Sequence, residues 1–170
     1  MFRRSRAREV ALQLLFQFDQ NKKPMSDKAV RRFAADRLPT DPDGVAFCLE
    51  LFAGVNAHRG AIDAAISAAA ENWKIGRMLP TDRNLLRLGT YELLHAPAPP
   101  PVPVVLNEVV EMARRFGTAD SPAFVNGVLD RIAKTRGAEV GTRSEEKPPA
   151  EPAAPSPEPP PADSSAVPSS

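Results

Sequence analysis

From residue 3 to residue 137, apolar side chains return every three or four positions, the spacing of one helical face after another. In residues 3–19, Ala7, Val10, Ala11, Leu14, Leu15 and Phe18 fall on a single stripe at about 100° per residue. Pro24 closes that helix off, and Ser26 or Asp27 can cap a second one reaching about Leu38, with Ala29, Val30, Phe33, Ala34 and Leu38 inward. Asp41 followed by Pro42 reads as a cap and a first helical position, and the third helix runs to about Val55. A fourth is expected from about Arg59 to Trp73. The fifth opens at Leu79-Pro80-Thr81-Asp82 and carries Leu85, Leu86, Leu88, Tyr91, Leu93 and Leu94 around most of its circumference, as a central helix must. Residues 96–103 hold five prolines and read as an extended linker. The sixth helix spans about Val104 to Phe116, with Gly117 as a left-handed cap. Ser121-Pro122 caps the seventh, which ends at Gly137. No alternating pattern of useful length suggests a strand. The prediction is an all-α fold of about seven helices in two packed bundles that share the fifth.

Composition changes this picture at one end. Residues 138–170 contain 9 of the 19 prolines and no Leu, Ile, Phe, Met, Trp or Tyr. Such a segment buries too little apolar surface to offset its ordering entropy, so a disordered tail is expected. The formal charge of +1 divides unevenly: residues 1–137 carry 20 basic and 15 acidic side chains, the tail 2 and 6. A basic helical body, 1–137, thus precedes an acidic tail, 138–170. No apolar run reaches the ~18 residues of a membrane span. The single cysteine, Cys48, permits no internal disulfide and suits a reducing cytoplasm.

No catalytic constellation is visible. His58 and His95 lack ligand spacing, the glycines form no phosphate loop, and Cys48 sits in an apolar helical face. No cofactor or metal is expected. Arg3, Arg4, Arg6 and Arg8 instead crowd the start of the first helix, where the macrodipole disfavours cations. Such a cluster is either a solvated charged end or a seat for an external anion such as nucleic-acid phosphate. Phe16 projects about 100° beyond the edge of the core stripe, among Arg6, Glu9 and Gln13. There it either stacks on a base of single-stranded RNA or packs on another helix. A second cluster, RRFGTADSPAFVNG, sets Arg114, Arg115, Phe116 and Phe124 around a turn, with Phe124 partly buried or displayed. Two basic–aromatic clusters without a catalytic set favour RNA binding.

The stretches RRSRAREVALQLLFQFD, TDRNLLRLGTYELL and VLNEVVEMARRFGTADSPAFVNGVLDRIAK together resemble the NusB family of bacterial transcription antitermination factors, over about residues 1–137. The resemblance implies two helical bundles and no enzymatic activity. It implies binding to boxA RNA of ribosomal-RNA operon transcripts together with NusE, also a small-subunit ribosomal protein. That pair joins RNA polymerase and other Nus factors to suppress premature termination. Carried over residue by residue, the RNA surface comprises Arg3, Arg4, Arg6, Arg8, Gln13, Phe16, Arg87, Phe116, Asp120 and Phe124, and the NusE-facing surface includes Asp82. The family usually has Tyr at the position of Phe16, so a hydroxyl hydrogen bond is lost while stacking is retained.

Two other readings compete. One is a protein-interaction module whose arginines meet an acidic partner. The other is an RNA-targeting domain like that of ribosomal-RNA cytosine methyltransferases, but no nucleotide-binding domain or catalytic cysteine follows here.

Overall fold

The computed structural model describes the backbone of residues 2–145 and the side chains of residues 4–137. Seven α-helices occur among the described residues: α1 (Phe2–Gln20), α2 (Asp27–Arg37), α3 (Pro42–Ala57), α4 (Arg59–Ala69), α5 (Pro80–Leu94), α6 (Val102–Phe116) and α7 (Ser121–Glu145). No strand occurs among the described residues. α1, α2 and α3 pack as one bundle, and α4, α6 and α7 gather on the other side of α5, which touches both groups. Every residue of α5 from Asp82 to Leu93 except Arg83 is buried, as its all-round apolar pattern requires.

Local chemistry sets most boundaries. Ser26 Oγ accepts the Ala29 N–H at 3.2 Å, and Asp41 Oδ1 accepts the Gly44 N–H at 3.0 Å, each satisfying an orphan donor of the first turn. Four expected ends shift. α4 stops at Ala69, and a single 3-10 turn at Ile75–Arg77 occupies the connection, leaving Trp73 on the surface. α6 begins at Val102, because Pro103 lies in its first turn, where a missing N–H costs nothing. Ser121 is the first residue of α7 rather than its cap: its Oγ accepts the Thr118 N–H at 2.9 Å, while the Asp120 carbonyl accepts the Phe124 N–H. α7 continues past Gly137 to Glu145, and the expected disorder of residues 146–170 lies outside the described residues.

Gly117 also departs from expectation. It is extended, at φ −94° and ψ −166°, not left-handed. Its lack of a side chain is steric: a Cβ would sit 2.5 Å from Ser121 Cβ and 2.8 Å from the Ala113 carbonyl. Gly54 has the same role inside α3, where a Cβ would fall within the Tyr91 ring of α5.

Two arginines of α7 hold other helices by their ends. Arg131 donates to the Ala69 carbonyl at 2.9 Å, in the last turn of α4, and Arg136 donates to the Leu93 carbonyl, in the last turn of α5. Each guanidinium satisfies an orphan acceptor at the negative end of a helix.

His58 and His95, 37 positions apart, stack at 4.5 Å between ring centroids. They join the α3–α4 corner to the end of α5, with Tyr91 beside them at 6.1 Å from His58. Burial, and then the neighbouring His58, hold the His95 imidazole below its ordinary value. The folded protein therefore disfavours a proton that the unfolded chain takes up near pH ~6.5.

Two measurements check this packing. Gly54→Ala is expected to lower stability by about 1–3 kcal/mol in chemical denaturation, as overpacking does. Adding Tyr91→Leu should recover much of that loss. Because the folded pKa of His95 is depressed, stability should fall as pH drops through ~6.5 and level off below the folded value. His95→Asn should flatten that part of the profile.

Candidate nucleic-acid interface

The site grows from the side of α1 that faces away from the core. Val10, Ala11, Leu14 and Leu15 are buried, whereas Phe16 is 41% exposed. Phe116, at the end of α6, is 40% exposed. These rings, with Leu12, Gln13, Phe33 and Arg37, line a hollow of about 350 Å³. The Arg37 guanidinium lies 3.4 Å from the Phe33 ring centroid, and its Nε donates to Gln13 Oε1 at 3.1 Å. Arg37 stands on α2, outside both basic clusters, and its distance from them in sequence hides it.

Glu9 joins the two clusters. Its carboxylate accepts Arg6 at 2.8 Å and pairs through its other oxygen with Arg115 from α6. Arg6 and the Arg114-Arg115-Phe116 segment therefore form one surface. Arg4 lies over the Phe47 ring at 4.9 Å, and Arg115 over Phe116 at 5.2 Å. Arg4, Arg6, Arg114 and Arg115 stay accessible. The side chain of Arg3 lies outside the described residues.

Two of the expected RNA contacts are instead interior. Arg8 is 2% exposed and clasps Glu92 of α5 through Nε (2.9 Å) and Nη2 (2.8 Å), with Glu108 of α6 at 3.7 Å. Arg87 is buried, with Nε and Nη2 on the two oxygens of Asp63 at 2.9 and 3.1 Å. Both guanidiniums are committed to carboxylates inside the protein, which removes them from a phosphate-binding surface. Arg87 belongs to a wider network with Asp19, Arg83, Asn84 and Arg59. Burial raises the Asp19 carboxyl, but the hydrogen bond and charge of Arg83, with Arg87 behind it, more than offset this and hold it below the ordinary carboxylate value.

The remaining candidates gather elsewhere. Asp82, Asp120 and Phe124 line a second hollow of about 500 Å³, with Trp73, Arg77 and Leu79. The sequence pattern gave no reason to single out Trp73 or Leu79, yet they are 58% and 50% exposed, and Trp73 meets Phe124 edge-on at 6.3 Å. Asp82 is buried, and its Oδ1 has no hydrogen-bond partner among the described residues. An acidic, aromatic-walled hollow of this kind suits a cationic side chain. Thr81 lines the first hollow and Asp82 the second, so the two adjoin at the start of α5. Among the described residues no cluster of three or more metal-ligating side chains occurs, and no helix is long and apolar enough to cross a membrane.

The sequence profile of the NusB family matches residues 5–134. The chain is 45% identical over 134 residues to the transcription antitermination protein NusB of Sorangium cellulosum, covering 79% of this chain and 94% of that protein. It is 44% identical over 131 residues to the protein of the same name in Anaeromyxobacter dehalogenans, covering 77% and 90%. Among solved structures, NusB of T. maritima is similar at 35% identity and a TM-score of 0.67, over 77% of this chain and 90% of that one. A NusB chain in the crystal structure of antitermination factors NusB and NusE with double-stranded RNA is similar at 25% identity and a TM-score of 0.68, over 79% and 98%. With its profile, its relatives and its seven-helix architecture in agreement, this chain belongs to the NusB family.

Proposed function

We propose that this chain is a transcription antitermination factor that binds boxA RNA of ribosomal-RNA operon transcripts together with NusE, and so suppresses premature termination by RNA polymerase. In this reading it acts in the cytoplasm, with other Nus factors, and catalyses no reaction. Residues 1–137 form its RNA-binding body. The observation that carries the reading is the bridging of Arg6 and Arg115 by Glu9, beside two exposed phenylalanines on a shared hollow. Guanidiniums that hold phosphates next to rings that stack bases are the components of a single-strand site. The contacts with RNA are assigned to Arg4, Arg6, Arg114, Arg115, Gln13, Phe16 and Phe116, with Arg37 added.

The acidic hollow supplies a second surface for the same function. Asp82 lines this hollow among exposed apolar side chains, and its negative charge suits a basic segment of NusE. Asp120 and Phe124 share that hollow and are assigned to the junction of the two ligands. The competing reading, protein interaction alone, differs in one measurable respect: it requires no RNA affinity from the isolated protein.

Titrating the protein with boxA RNA across salt concentrations decides between them. An RNA binder should lose affinity with a log–log slope of about −0.7 per phosphate neutralised. Phe16→Asp should weaken RNA binding by the ~1–3 kcal/mol of one base stack, roughly 5- to 150-fold, while thermal unfolding stays cooperative. Unfolding of this variant with a core-sized loss of ~3–5 kcal/mol would make Phe16 a packing residue. Asp82→Asn should weaken NusE binding without lowering stability, because it relieves an unsatisfied buried carboxylate. Equal NusE affinity in the variant would remove Asp82 from the interface.

A further inference from the structure

A further hollow of about 560 Å³ belongs to neither surface above. It lies between α4 and α7 at the end of α5. Its lining is apolar at Ala65, Ala69, Leu94 and Ile132, and charged at Arg131, Lys134 and Arg136 against the one carboxylate of Glu71, a net positive set. Arg131 and Arg136 are each fixed by a backbone carbonyl, at Ala69 and Leu93, so their positions are set while further N–H donors remain on each guanidinium. Lys134 pairs with Asp130, one turn away, and its side chain is 76% exposed.

We infer that the proline-rich acidic segment 146–170 of this same chain folds back along α7 and occupies this groove, its carboxylates against Arg131, Lys134 and Arg136. Three observations support that occupant. The segment follows directly on the helix that forms the groove wall, so its local concentration there is high. Its residues 152–161, PAAPSPEPPP, form a strip of Pro and Ala with Glu158 near its centre, apolar like the lining it would cover. Reach agrees as well. Pro148 and Pro149 disfavour a continuing α-helix, and in the proposed fold-back the proline-rich run would rise ~3.1 Å per residue. From Glu145, at 1.5 Å per helical residue, Arg131 lies ~21 Å back, about seven residues of such a strand. Counted from Pro149 that reach ends near Ser156, so Glu158 would fall within two residues of the level of Arg131. Polyproline geometry is already extended before docking, which keeps the entropic cost of docking low.

Paramagnetic relaxation measured on the full chain tests this. A nitroxide on Ser156→Cys can be attached selectively, because burial pushes the Cys48 thiol up to about 12 and shields it from the reagent. Loss of amide signal is expected at residues 65–69 and 131–136, and Glu158→Lys or high salt should restore those signals. Lys134→Glu should restore them too, and pairing it with Glu158→Lys should bring the loss back. Attenuation spread evenly over the surface, or centred on Arg4, Arg6 and Arg115, would overturn the proposal. So would groove attenuation seen only when labelled chains are mixed with unlabelled, isotope-enriched ones, since the segment would then serve a second copy.

Discussion

The buried pair of Arg8 and Glu92 fixes how the two bundles meet. Arg8 leaves α1, Glu92 leaves α5, and Glu108 of α6 stands at 3.7 Å, so one guanidinium addresses three helices. A buried charge pair adds little net stability over a well-packed apolar pair, because desolvation consumes most of the Coulomb gain. Its value lies in specificity, since a slip or rotation of α1 against α5 would leave an uncompensated charge in the core. The Asp19–Arg83–Arg87–Asp63 network acts in the same way farther along α1, tying it to α4 and α5. With α1 held at two points along its length, the face carrying Gln13 and Phe16 can only turn outward.

That dependence explains which parts of the molecule were legible in the sequence. Helical periodicity and cap chemistry located seven helices, because both are local and repeat within a few residues. The angle of Phe16 could be read for the same reason: a position on one helix needs only that helix. Arg8 could not be separated from Arg4 and Arg6 in this way. Its fate is decided by Glu92, 84 positions away, and a guanidinium enters a core only where such a partner waits. Arg87 with Asp63 repeats the lesson. The stacking of His58 on His95, the reach of Arg37 into the Phe16 hollow and the bridge made by Glu9 are likewise products of topology. Trp73 was misplaced for a different reason: the alanine run continues a helical pattern that the chain abandons at Ala69.

The two hollows meet at the first turn of α5, where Thr81 faces one and Asp82 the other. This turn follows a proline-marked entry and leads into the most buried helix of the fold. In the proposed function, RNA and protein partner would thus be read from adjacent residues of one turn. A ligand seated in either hollow would meet the other ligand's rim without any rearrangement of the chain, and electrostatics across a few ångströms would suffice to couple them.

The arginines of α7 have a consequence for how the molecule is made. The carbonyl ends of α4 and α5 are completed by Arg131 and Arg136, side chains synthesised 62 and 43 residues later. During synthesis, the segments of α4 and α5 emerge seconds before Arg131 and Arg136, so any helix they form in that interval has those acceptors turned to water and the apolar side of α5 uncovered. The emergence of α7 closes both ends and the core together. A nascent chain halted before residue 131 would therefore lack finished ends as well as a packed core, and would be a substrate for chaperones or proteases. The last helix acts as the latch of the assembly, and completeness of the chain becomes a condition for its compactness.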